Sequence, residues 1–257
     1  MKSLLLLTWT MIIVIGINAL IYWNRKSKIK YSFYLYGAAA WIIPLAFHTM
    51  LTLALKKKIE TFFNIIFSKP VSNTMYHVFS SVSYNLLVCI TIFLFLYSFK
   101  SLQKQRFEEA VGFGIGGIAT KTILLGIALV FITLVVILIG TSFENIPNAS
   151  KMFNHGTAFA VIIDIIFDII IYVFSTVLIV YSFITKKIKW FWAAFVYQTF
   201  YSLIYNLFDS YPHGYEHSLF ETFLVELESA IIALFGFIGL KILKDRWPKN
   251  YENEEMS

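Results

Sequence analysis

Apolar residues dominate seven stretches of this chain, and polar residues gather in the gaps between them. The stretches run Leu4–Trp23, Tyr31–Leu55, Val78–Phe99, Ala110–Gly140, Phe159–Phe183, Trp190–Phe208 and Leu219–Leu243. At a rise of about 1.5 Å per residue, each reaches across a hydrocarbon layer of roughly 30 Å. The pattern therefore predicts seven transmembrane helices. The first stretch reads as a retained span rather than a signal peptide, because its apolar core is long and no small-residue cleavage site precedes Asn24-Arg25-Lys26. Between the second and third spans, Ile59, Phe62, Phe63, Ile66 and Phe67 fall at near-helical spacing beside Lys56–Lys58. This predicts a short amphipathic helix over 56–70, lying in the headgroup region.

Composition sharpens the class. The chain has 257 residues, of which 58% are hydrophobic, 18% aromatic and only 14% charged, with a mean hydropathy of +0.72. Those values exclude an ordinary soluble domain. The fold class is all-α: a polytopic membrane helix bundle, one domain over 1–245, followed by a short charged tail over 246–257. The single cysteine, Cys89, lies in an apolar run and supports neither a disulfide framework nor a cysteine-based metal site. No internal repeat is present.

The net charge of +6 is not a nucleic-acid signal, because the basic residues sit at the span ends. Arg25–Lys30, Lys100–Arg106, Lys186–Lys189 and Lys241–Lys249 fall on one side. Lys2, Lys56–Lys58, Lys69 and Lys151 fall on the other. The bias orients the N-terminus outside and the C-terminus inside, with Lys56–Lys58 as a local exception.

Against that apolar background, a few polar side chains carry the candidate chemistry. Asp164, Asp168 and Tyr172 share one face of the fifth span, at i, i+4 and i+8. Tyr197, Tyr201 and Tyr205 do the same on the sixth, beside Gln198, Ser202 and Asn206; Glu221 and Glu228 share a face of the seventh. The second span adds His48 and the fourth Lys121. Counting about 1.5 Å per residue, Lys121, Asp168 and Glu228 fall at one depth, with His48, Asp164 and Glu221 in a shallower layer near the outer face. Charged groups at such depths face the bundle interior and pair. Two readings follow: an ion pair of Lys121 with Asp168 or Glu228, or a divalent-metal site or proton relay built from His48 and the carboxylates. The ion pair is favoured, since one histidine with scattered acids is a weak ligand set.

Other polar motifs carry less. Glu108-Glu109 follows Lys104 and Arg106 at a span entry, where acids stabilise a helix N-terminus. Gly112, Gly114, Gly116 and Gly117 follow no strand, so they suit close helix packing or a local break rather than phosphate binding. His155, His213 and His217 fall in outer loops, as does the sequon Asn148-Ala149-Ser150.

Three segments together resemble the YhfC-type family, multi-spanning bacterial proteins read as intramembrane proteases. Phe113-Gly114-Ile115-Gly116 followed by Ile123-Leu124-Leu125-Gly126 is similar to the family's glycine-rich helix and its exit. Ser175–Tyr181 with Lys186-Lys187 and Trp190 is similar to its fifth helix, basic turn and sixth-helix entry. Phe47-His48 through Leu55 is similar to the end of its second helix. The resemblance implies a bacterial cytoplasmic membrane location and embedded Glu and His residues acting as acid, base or metal ligands.

Most of those residues are missing. The expected glutamate pair falls near Val88-Cys89 and the following arginine near Ile92. One histidine falls on Gly117, its glutamate on Lys121, and later histidines on Tyr172 and Tyr197. Only His48 matches outright, with Asp164 standing in for an acid. Hydrolysis needs a water activated by a base or metal. The sequence therefore predicts a catalytically degenerate relative that binds a peptide, lipid or membrane-protein partner in a polar intramembrane cavity, with no cofactor. The alternatives are an active protease with a relocated Glu/Asp/His site and a bound metal, or a small transporter or permease subunit.

Overall fold

The computed structural model describes residues 2–139, 155–210 and 219–248, with side chains at 2–4, 70, 155–161, 205–210 and 219–226 outside the description. Every described element is helical: α1 Lys2–Ser27, α2 Tyr31–Ile66, α3 Lys69–Ser98, the short α4 Lys100–Gln103, α5 Phe107–Ile139, α6 His155–Thr185, α7 Lys189–Ser210 and α8 Leu219–Asp245. Among the described residues, five helices have both the length and the apolarity to cross a membrane: Leu5–Ser27, Tyr31–Ile66, Val71–Ser98, Phe107–Ile139 and Ile162–Thr185. The 22 residues of α7 and 27 of α8 supply the length of two more. The chain is an all-α membrane helix bundle. His155, expected in an outer loop, instead begins α6, its side chain undescribed; His213, His217, the sequon Asn148-Ala149-Ser150 and the tail beyond Pro248 fall outside the described residues.

Apolar side chains cover the outside of the bundle as well as filling its interior. On α1, Leu7, Met11, Val14, Ile17 and Ile21 form an exposed apolar stripe; on α8, Leu227, Ile231, Leu234, Ile238 and Ile242 do the same. Hydrocarbon is the solvent these faces fit. The interior also holds polar side chains, including Ser175, Thr176, Gln198 and Ser229.

The amphipathic segment predicted at 56–70 is not a separate surface helix. Instead α2 runs unbroken through Lys56–Lys58 to Ile66 and reverses at Phe67-Ser68 into α3. No residue in 50–60 breaks the backbone ladder, and Phe63 packs edge-on against Phe79 across the hairpin. Pro70 sits in the first turn of α3, where a missing N–H costs nothing. The bundle thus extends a two-helix arm beyond the level of His48.

At the centre, α5 touches α1, α2 and α6, and its glycines make those approaches close. A Cβ at Gly116 would collide with the Tyr34 backbone, and one on Gly37 of α2 with the Phe113 carbonyl. On the opposite side, a Cβ at Gly126 would lie 3.1 Å from the Trp9 carbonyl of α1. Small residues let backbones meet where hydrocarbon offers no hydrophobic driving force, leaving dispersion and polar contacts to hold the helices. Close packing, not a local break, is the role of this glycine run.

The obstruction at Gly37 is backbone and cannot rotate away. Gly37→Ala is expected to destabilise the protein by at least about 2 kcal/mol, read as thermal unfolding in detergent. Ala54→Ser, on an exposed face, is expected to leave the midpoint within error.

Candidate functional site

Antiparallel packing of α5 and α6 sets their side chains opposite one another in rungs. The outer rung is Lys121 against Asp168, with Nζ 2.6 Å from Oδ2. One turn inward, Tyr172 covers Gly117, and a Cβ there would meet the Tyr172 ring at 2.8 Å and its hydroxyl at 2.9 Å. Next, Gly114 lies against Val173 and Thr176. The lysine of the first rung is 39% exposed and the aspartate 19%, so the pair is partly open at the bundle surface. Of the two partners the sequence offered Lys121, the structure selects Asp168.

A second polar group lies on α2 and α3. Ser83 Oγ is 3.3 Å from His48 Nε2 and donates its own proton to the Ser80 carbonyl at 3.0 Å. Which of the two donates in the His48–Ser83 contact is set by the imidazole tautomer. His48 also packs edge-on against Tyr84, ring centroids 5.3 Å apart. Tyr84 in turn meets the Trp41 side chain and lies in the field of both Lys121 and Asp168, so it bridges the two groups. Neither Ser83 nor Tyr84 stands out in the sequence. The available signal was the stripe Tyr76, Ser80, Ser83 and Tyr84 along α3, which hydropathy averaging absorbs into an apolar span.

The remaining candidates go elsewhere. Asp164 is half-buried one turn beyond Asp168. Tyr197 donates to the Ile232 carbonyl at 2.8 Å and meets Phe174 edge-on, joining α7 to α8. Tyr201 packs against the same α6–α8 patch of Ile171, Ile232 and Ala233. Glu228 is half-buried on α8, and no described residue pairs with it. The Glu221 side chain lies outside the described residues. Gln198, read as part of a stripe beside the tyrosines, is buried and accepts from Ser175 at 3.2 Å. At the N-terminal end of α5, Glu109 Oε2 accepts from the Arg106 backbone N–H at 2.8 Å, which makes the acid a helix cap as its position suggested.

This geometry limits the chemistry. The Lys121 ammonium lies on one oxygen of Asp168, Oδ2, and balances its charge. His48 is turned to Ser83 and Tyr84 rather than to a carboxylate. Among the described residues, no three His, Cys, Asp or Glu side chains group closely enough to hold a metal ion. No family model, curated protein or solved structure matches this chain.

Removing one partner of an intramembrane pair strands the other. Asp168→Leu alone, or Lys121→Met alone, is expected to cost roughly 2–4 kcal/mol, and the double substitution to recover most of it. Thermal unfolding of the four proteins of that cycle measures the coupling. Additive losses would mean that the two side chains do not act as a pair.

Proposed function

We propose that this chain is a membrane-embedded binding protein that keeps the helical architecture of the YhfC-type proteases without their chemistry. It engages a lipid, a peptide or the membrane segment of another protein. The carrying observation is the way the positions that the resemblance assigns to chemistry are filled. Val88, Cys89 and Ile92, in place of the glutamates and arginine, are buried in the main apolar core together with Tyr172. Tyr172 also lies in the field of Cys89 and covers Gly117. Lys121, in place of a glutamate, neutralises Asp168.

The centre is packed rather than vacant. A hydrolytic site needs room for a water beside its base, and Tyr172 occupies that volume. The half-exposed Lys121–Asp168 rung, with Leu124 and Leu125 exposed beside it, instead offers a membrane partner a polar contact set in an apolar face. The separation of His48 from the carboxylates argues against a relocated protease site.

The purified protein, in detergent or bilayers, is expected to leave transmembrane peptide substrates uncut. Cleavage that is lost on His48→Ala or Glu228→Gln would overturn this reading.

The distribution of basic residues supports a bacterial cytoplasmic membrane location with the N-terminus outside. Lys57→Cys is expected to react with an impermeant maleimide on intact cells, and Lys187→Cys only after permeabilisation. The native Cys89 is fully buried and contributes little background. The reverse pattern would invert the topology.

A further inference from the structure

One charged side chain deep in a span is left without a match. On α8, Ser229, Ile232, Ala233 and Gly236 are buried and form the inward face. Tyr197 of α7 donates to the Ile232 carbonyl, and Gly236 and Gly239 close on Phe174 of α6. Glu228 lies off that face. Its neighbours on the helix surface, Leu227, Ile231 and Phe235, are exposed, so the half-buried carboxyl stands at the edge of an apolar stripe. Among the described residues it makes no hydrogen bond and no ion pair.

Depth limits what can pair with it. At about 1.5 Å per residue, Glu228 stands roughly 20 Å from Lys241, near the middle of a hydrocarbon layer of about 30 Å. Ammonium groups of lipid headgroups remain at the surface and do not reach that level. Acids at such depth pair with a basic group or face a watery cavity, and this one borders exposed leucine, isoleucine and phenylalanine.

This chain has no basic group to spare for it. Lys121 is the basic residue placed in the middle of a span, and Asp168 holds it at 2.6 Å. A second copy would bring the same engaged lysine. The complementary charge therefore comes from a different protein.

We propose that this flank of α8 docks a membrane helix of another protein, one that carries a lysine or arginine near its middle. The basic group meets Glu228, and the apolar side chains around it pack on Leu227, Ile231 and Phe235. Enclosing the pair between two helices removes both charges from lipid, an attraction that apolar surfaces alone lack in hydrocarbon. The inference rests on the reading of this chain as a binding protein and names the chemistry of its partner, at a contact on α8 rather than on the α5–α6 rungs.

The test reconstitutes the full-length protein in phosphatidylcholine vesicles with fluorescent leucine–alanine transmembrane peptides and reads energy transfer from protein to peptide. Three peptides differ at one central residue, which is Lys, Met or Glu. The Lys peptide is expected to bind saturably and at least tenfold more tightly than the Met peptide, and Glu228→Gln to abolish that preference. Glu228→Lys is expected to transfer the preference to the Glu peptide, a gain that a misfolded protein would not show. Equal binding of the Lys and Met peptides by the wild-type protein would overturn the proposal. A Lys preference that survives Glu228→Gln would do the same, moving the contact to another acid. Wild-type dimers dispersed by Glu228→Gln would make a second copy the occupant and overturn it too. Each of these results, with the peptides intact, removes the docking alone; cleavage of the peptides would overturn the binding-protein reading beneath it.

Discussion

A full charge inside a hydrocarbon layer must be matched by protein, and in this bundle the Lys121–Asp168 pair does that matching. The contact at 2.6 Å fixes more than two side chains. It sets the rotation of α5 against α6, and the antiparallel course of the two helices then determines the neighbouring rungs. Tyr172 falls on Gly117 because each lies one turn inward of its charged neighbour. Burial of polar residues elsewhere follows the same rule: Tyr197 finds the Ile232 carbonyl and Ser175 finds Gln198. Water is scarce here, so such groups turn to another helix or, like Thr122 and Thr133, to a carbonyl of their own.

That matching works only if the helices approach closely, and the glycines of α5 provide the approach on three sides. Gly116 admits Tyr34 of α2, Gly117 admits Tyr172 of α6, and Gly126 admits Trp9 of α1. An alanine in place of any one would push a neighbour outward and lengthen the polar contacts it supports. Packing and electrostatics are therefore coupled here: the tight crossing lets a lysine reach an aspartate, and the pair in turn specifies which crossing forms. The packing role alone explains these glycines.

Much of the fold was legible because transmembrane helices announce themselves by length and apolarity, and five of the seven expected spans lie where the apolar runs do, within a few residues at their ends. The second and third are the exceptions: α2 continues to Ile66 and α3 already begins at Lys69, because hydropathy marks where lipid ends, not where a helix ends. The Lys121–Asp168 pair could be anticipated from depth counting along two helices whose ends were fixed by basic residues. Depth counting says nothing about rotation, so it grouped His48 with the carboxylates although it faces α3. Tyr84 escaped notice for a related reason: an aromatic in an apolar run reads as lipid-facing until its hydroxyl is seen near Trp41 and the ion pair.

The neighbours of two polar groups bear on the distinction between a binding protein and an enzyme. His48 lies against Ser83 and Tyr84, with no carboxylate among its described contacts to orient the ring as a base. At the other group, Asp168 is held through Oδ2 by the Lys121 ammonium. Both features arise from satisfying polar groups inside the protein, which is the requirement lipid imposes on every span. A catalytic site must violate that requirement locally, holding at least one polar group short of a partner for its substrate. On α5 and α6 the Lys121–Asp168 rung is closed, while the buried Thr176 hydroxyl in the Gly114 rung has no hydrogen-bond partner among the described residues.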